Sequence, residues 1–289
     1  MRVLRRFDPW GNPLCTCPPK YSLAPYTGCT HMCLYCYAAT YIGVKDSTPK
    51  KDFLRNLTSD LRKAERSLFV SMSNSSDPYP PAEARLGLTR DALGLLIQRG
   101  FRVLVVTKSD LFVRDLDIIA EGRVSVSVTV TTLDESLARV LEPGAPPPHR
   151  RVDALARAAR AGIPVSARVD PVIPGLNDDP SEVRELIHTL KEAGVRHVVT
   201  STLKLKPRIL RRLGEAFPDM HGYWKRLYVD RGVRVRSYLY LEAQLRRKLL
   251  GPVVEEARKL GMTYATCREG LGDPSFFSAP SCDGSHLIP

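Results

Sequence analysis

The chain has 289 residues, with 43 Lys or Arg against 31 Asp or Glu, a net charge of +12 and seven cysteines. That length buries a substantial core without cross-links, so the cysteines are not needed as staples, and one large domain or a domain with appendages is expected. The charged start Met1-Arg2-Val3-Leu4-Arg5-Arg6 excludes a secretory signal, and no run of about 18 apolar residues occurs, which predicts a soluble cytoplasmic protein with no membrane partner.

Short β-branched runs alternate with longer amphipathic stretches. In chain order the patterning predicts a helix over 51–67, a strand over 68–73, a helix over 83–99 and a strand over 102–107. A helix over 113–121, a strand over 124–132, a helix over 152–161, a strand over 163–172, a helix over 180–193 and a strand over 196–202 follow. Gly100, Gly122, Gly162 and Gly194 each close a helical stretch, where a cap with positive φ belongs. Strict alternation at this spacing implies a parallel sheet with right-handed crossovers, either doubly wound or a full or partial barrel. In each of these folds, functional groups gather at the C-terminal ends of the strands. From residue 207 the pattern turns mainly helical, with a long helix over about 240–260, and the last 23 residues read as an irregular tail.

The segment Tyr26-Thr27-Gly28-Cys29-Thr30-His31-Met32-Cys33-Leu34-Tyr35-Cys36-Tyr37 carries three cysteines spaced C-x3-C-x2-C. Three thiolates this close can converge on one iron–sulfur cluster and leave a coordination position open, with Gly28 allowing a tight turn before the first. Zinc is the alternative, although it usually takes four ligands and only His31 is near.

This spacing, with Tyr35 before the last cysteine, resembles the signature of radical S-adenosylmethionine (SAM) enzymes. The resemblance implies a [4Fe-4S] cluster on Cys29, Cys33 and Cys36, SAM as cosubstrate, and hydrogen abstraction from a substrate by a 5′-deoxyadenosyl radical. Further segments are similar to the spore photoproduct lyase-like branch, from Ser75-Ser76-Asp77-Pro78-Tyr79 through Thr107-Lys108-Ser109 and Thr129-Val130-Thr131-Thr132 to Glu142-Pro143-Gly144 and Pro174-Gly175-Leu176-Asn177. That likeness implies a partial (β/α)6 barrel with SAM contacts at Ser76, Lys108 and Thr129, and with Tyr35 and Tyr37 beside the cofactor. One departure stands out: where the lyase has the cysteine that returns hydrogen to the product radical, this chain has Asn74. The radical chemistry therefore carries over and the lyase's substrate does not; no catalytic residue beyond the cofactor set is assigned.

Cys15, Cys17, Cys267 and Cys282 remain, one pair near each end of the chain. Four is the number that a zinc site or a fully protein-ligated second Fe–S cluster needs, with His286 as a possible substitute ligand. A disulfide or unrelated thiols are the alternatives.

Charge is also local. Thirteen Lys or Arg against four acids fall between Lys204 and Lys248, which concentrates +9 in 45 residues, with Tyr223, Trp224, Tyr228, Tyr238 and Tyr240 interleaved. The pattern suits phosphate contact with base stacking on nucleic acid, or docking of an acidic electron donor such as a ferredoxin or flavodoxin. A solvated helical face with aromatics turned inward is the plainer alternative.

The sequence thus predicts an α/β chain in three parts: an N-terminal segment over 1–24, a radical SAM core over 25–206, and a basic helical extension with a Cys-containing tail over 207–289. The expected function is radical modification or repair of DNA or RNA. The competing readings are radical modification of a peptide or small metabolite, and a non-catalytic Fe–S or zinc protein that binds nucleic acid.

Overall fold

The computed structural model describes residues 2–8, 12–72 and 75–289. Ser73 and Asn74, the stretch in which the lyase's cysteine is replaced, lie outside the described residues.

Among the described residues, eight strands form one sheet in which spatial order follows chain order: β1 (Arg5–Arg6), β2 (Lys20–Leu23), β3 (Phe69–Met72), β4 (Val103–Thr107), β5 (Val124–Thr129), β6 (Val165–Val172), β7 (His197–Thr202) and β8 (Thr263–Thr266). β1 pairs antiparallel with β2, and every other pairing is parallel. The expected parallel α/β architecture is therefore present. Helices α1 (Phe53–Leu61), α2 (Leu88–Gln98), α3 (Leu116–Glu121), α4 (Pro148–Arg160) and α5 (Pro180–Glu192) lie in the crossovers, and α6 (Pro207–Ala216) and α7 (Ala243–Lys259) precede β8.

The local chemistry explains these limits. The Asp179 carboxylate caps α5 by accepting the N–H groups of Ser181 and Glu182, and Pro180 supplies a preset φ at the first turn. Val183, Leu186, Ile187 and Leu190 then recur on one buried face. The stretch expected as one helix over 83–99 is broken by Gly87, whose φ of 62° lies in the left-handed region. Gly100, Gly162 and Gly194 have the positive φ expected of caps. Gly122 is a correction: its backbone is extended, and a side chain there would meet Ile97 at 2.6 Å, so packing rather than φ requires it.

The two faces of the sheet differ. Val103, Val105, Val126, Val128, Val165, Ala167 and Val169 join the main core with the helices. The inner face carries Ser71, Ser125, Ser127 and Ser166, with Phe69 and Leu104 packed against Ile288 of the tail. Side chains from β2 through β7 line one cavity, which requires the sheet to curl into a partial barrel.

The C-terminal tail enters the other end of this barrel. Asp283 accepts a 2.5 Å charged hydrogen bond from buried Lys20 at the start of β2, and Gly284 lies against Ser166 and His197 at the starts of β6 and β7. The tail is irregular as expected, and its stretch 281–285 is buried.

His197 Nδ1 lies 2.9 Å from the Thr263 hydroxyl, and its ring stands edge-on to His286 with centroids 4.8 Å apart. Burial first, and the neighbouring His286 second, push His197 down to about 3. The unfolded chain takes up this proton near pH 6.5 and the native chain does not, so stability is complete above that pH and falls below it. Urea unfolding of the parent and of His197→Gln at pH 5 and pH 7 should differ by about 2 kcal/mol in the stability lost on acidification, His197's own share. His197→Gln should flatten that slope; an unchanged slope would exclude His197 as its source.

Candidate active site

The loop after β2 is shaped by close backbone contact. Gly28 has φ 74°, and a Cβ there would sit 2.2 Å from the Asp46 carbonyl oxygen, so no larger residue fits. Gly144 has the same constraint, with the Thr30 carbonyl 2.0 Å from a built Cβ, which presses the 142–144 loop onto the cysteine loop. The Gly144 N–H donates to His31 O at 3.1 Å and the Leu34 N–H to Leu141 O at 2.8 Å. From α6, the Arg212 guanidinium donates to the carbonyls of Met32 (2.9 Å), Cys33 (3.0 Å) and Leu34 (3.3 Å).

Asp77 joins this loop to the next two. Its buried carboxylate accepts the Thr107 hydroxyl at 2.6 Å, the Lys108 N–H at 2.8 Å and the Tyr79 N–H at 2.9 Å, and His31 Nε2 stands 3.2 Å away. Burial opposes its charge, but His31 and these donors outweigh that effect and hold Asp77 down at about 2. His31 is raised in return, Asp77 overcoming burial.

All eight cofactor and cluster residues expected from the sequence line one cavity of about 930 Å³: Cys29, Cys33, Cys36, Tyr35, Tyr37, Ser76, Lys108 and Thr129. The volume is within the usual range for a small-molecule site. Burial pushes the Cys29 thiol up to about 11, the Asp77 charge adding to it. Tyr35 donates to Glu142, a buried carboxylate that also pairs with Arg151 and accepts the Thr131 hydroxyl. The half-buried Lys108 ammonium makes no hydrogen bond or ion pair among the described residues; it lies 5.4 Å from the centre of the Tyr35 ring. Burial works against its charge, yet the negative surroundings of Cys33 and Glu142 leave it raised. The Ser76 hydroxyl donates to Tyr26 O at 3.0 Å, and buried Thr129 holds Arg151 through its carbonyl at 3.2 Å. Tyr37 stands edge-on to Tyr238 and beneath Arg268.

The sequence pattern does not single out Asp77, Glu142, Arg212 or Arg268 as site residues. Asp77 and Glu142 stand within segments that carry the resemblance, but nothing in their spacing marks a buried brace.

Cys15, Cys17, Cys267 and Cys282 line the same cavity, and all seven cysteines are free thiols. His286 is turned away from them, with its two ring nitrogens beside the hydroxyls of Ser281 and Thr263. Among the described residues no three His, Cys, Asp or Glu side chains close on one ion position.

The basic stretch divides. Lys204 and Arg246 are buried with Glu269, and Trp224, Tyr228, Tyr238 and Tyr240 are buried, so the expected stacking aromatics are core residues and only Tyr223 is partly open. Nine of the thirteen cations remain exposed: Arg208, Arg211, Lys225, Arg226, Arg231, Arg234, Arg236, Arg247 and Lys248. No helix among the described residues is long and apolar enough to cross a membrane.

The family model described as the radical SAM superfamily matches residues 23–190, from β2 into α5. The chain belongs to the radical SAM superfamily. Membership implies an enzyme that uses a [4Fe-4S] cluster, SAM and an electron donor. An uncharacterised protein of Mycobacterium tuberculosis is 28% identical over 263 residues, covering 84% of this chain and 76% of its own length. The radical SAM Nalpha-GlyT isomerase of Pseudomonas phage M6 is 26% identical over 294 residues, 91% of this chain and 59% of that protein. Among solved structures, a spore photoproduct lyase variant with dinucleoside spore photoproduct superposes with a TM-score of 0.67 at 18% identity, over 84% of this chain and 75% of that one. Streptococcus suis SuiB gives 0.54 at 16% identity, over 85% and 49%. These structural likenesses establish the shared fold.

Asp77→Asn removes the charge opposite His31 while keeping the side chain's shape. Breaking a buried charged contact of this kind costs on the order of 3 kcal/mol. The variant should unfold at correspondingly lower denaturant and hold less iron after anaerobic reconstitution than the parent protein; equal stability and iron content would refute the bracing role.

Proposed function

We propose that this radical SAM enzyme acts on nucleic acid, DNA or RNA, by hydrogen abstraction within the cavity at the C-terminal ends of the strands. The observation carrying the cofactor reading is the convergence of Cys29, Cys33 and Cys36 with Ser76, Lys108 and Thr129 on one cavity. The donor set fits: three sulfurs would hold the cluster, and the unpaired Lys108 ammonium would meet the carboxylate of SAM. Tyr35 and Tyr37 would flank the cofactor. When bound, the cluster and SAM together supply a 5′-deoxyadenosyl radical on one-electron reduction.

The protein's own part is to hold and shield. Asp77 keeps the three loops in register, and Glu142 fixes Tyr35 under Lys108. Nucleic acid as substrate rests on the nine exposed cations and on spore photoproduct lyase, whose structure contains a dinucleoside photoproduct. The buried aromatics limit this surface to phosphate contact rather than stacking. Because Asn74 occupies the sequence position of the lyase's hydrogen-donating cysteine, the reaction differs from that enzyme's in how the product radical is quenched. An acidic ferredoxin or flavodoxin is the expected electron donor.

Dithionite-reduced, reconstituted protein should convert SAM to 5′-deoxyadenosine, and Cys33→Ala should reduce the yield to background. Lys108→Met should weaken SAM binding roughly 10-fold to 100-fold, the usual value of a charged hydrogen bond. Failure of the parent protein to form 5′-deoxyadenosine anaerobically would refute the enzyme reading.

Oligonucleotide binding should weaken as salt rises. Reversal of Lys225, Arg226 and Arg231 to Glu should lower affinity at least 10-fold and flatten the log–log salt dependence by about 0.9 for each phosphate no longer neutralised. Salt-insensitive binding, or none, would turn the assignment toward a peptide or metabolite.

A further inference from the structure

Four cysteines remain outside the radical SAM triplet. They come from three chain segments: Cys15 and Cys17 ahead of β2, Cys267 directly after β8, and Cys282 in the tail. β2 and β8 are the first and last parallel strands of an open sheet, so these thiols meet where the partial barrel fails to close.

The contacts are specific. Cys282 Sγ lies 3.5 Å from Cys17 Sγ, and Cys15, two residues from Cys17, lines the same cavity. Cys267 also lines that cavity, together with the cations Arg168 and Lys20. Lys20 attracts Cys17 and Cys282 from the other side. Surrounding segments hold the set in position: Asn12 Nδ2 donates to the Tyr240 hydroxyl at 3.2 Å, and Lys20 pairs with Asp283, the neighbour of Cys282.

We infer that Cys15, Cys17, Cys267 and Cys282 form a second metal site, a mononuclear tetrathiolate centre of the zinc class that clasps the open seam of the barrel. The sulfur separation argues for a single ion. A tetrahedron with metal–sulfur bonds of about 2.3 Å spaces its sulfurs about 3.8 Å apart. The 3.5 Å contact is close to that edge, far beyond a disulfide bond of about 2.05 Å, and shorter than expected for thiolates on different irons. Side-chain adjustment completes the set, since no three of the thiols already share an ion position. Binding exchanges ligands only: each thiol releases its proton as its sulfur meets the ion, and no electron moves. Its ligands are disjoint from the triplet although both sets line one cavity, so the two centres can be removed separately.

The test separates the two centres. A variant with Cys29, Cys33 and Cys36 all changed to Ala removes the cluster ligands and leaves the four seam cysteines intact. Purified anaerobically, it should retain about one zinc per chain, with an X-ray absorption spectrum showing four sulfurs at about 2.3 Å. Adding Cys17→Ser or Cys282→Ser should remove that zinc and lower the melting temperature, with circular dichroism checking that the fold persists. The spectrum needs no change at the seam, so the result stands even if those variants fail to fold. No metal in the triple variant, four irons instead of one zinc, a nitrogen ligand in the spectrum, or a Cys17–Cys282 disulfide by mass spectrometry would each overturn the assignment. Failure of the parent protein to cleave SAM, with zinc retained in the triple variant, would count against the proposed function alone.

Discussion

The buried carboxylate of Asp77 governs the arrangement of the active cavity. Three loops must meet at the C-terminal ends of β2, β3 and β4, yet each leaves its strand separately, and the short ladder of Tyr26–Thr27 with Thr48–Pro49 ties the first loop only to itself. One carboxylate touching Thr107, Lys108, Tyr79 and His31 supplies the missing register. A charge so deeply buried is tolerable only because it is almost fully coordinated. The Glu142, Tyr35 and Arg151 group does the same on the neighbouring side. The cavity thus rests on two charged braces, and the residues expected to meet the cofactors are suspended between them.

The sequence made the chemistry more legible than its support. Cysteines spaced C-x3-C-x2-C announce themselves because few other arrangements bring three thiols so close, and Lys108 stands out as a cation ending a β-branched run. Asp77 and Glu142 are ordinary acids in polar loops until the fold buries them. β2 escaped patterning because it begins with a lysine, and β8 because Thr263-Tyr264-Ala265-Thr266 carries little β-branched apolar character and follows directly on a long helix. Arg212 reads as one of several cations on a helix, and only the structure aims it at three carbonyls of the cysteine loop.

Composition also misled in one respect. Aromatics interleaved with Lys and Arg look the same whether they face solvent or core, and here Trp224, Tyr228, Tyr238 and Tyr240 face inward. The cations themselves divide between internal support and surface, so net charge overstates the basic face available to a polyanion.

The tail that fills the barrel's end bears on kinetics as well as shape. Lys20 and Asp283 are 263 positions apart, so their contact closes a very long loop, whereas the βα units upstream form from neighbouring segments. The sheet can therefore assemble before the tail docks, and the tail can leave without dismantling the sheet. Such an order makes the seam the natural first step of local opening, with amide protons of β2 and β8 exchanging sooner than those of β5 and β6 at the centre of the sheet.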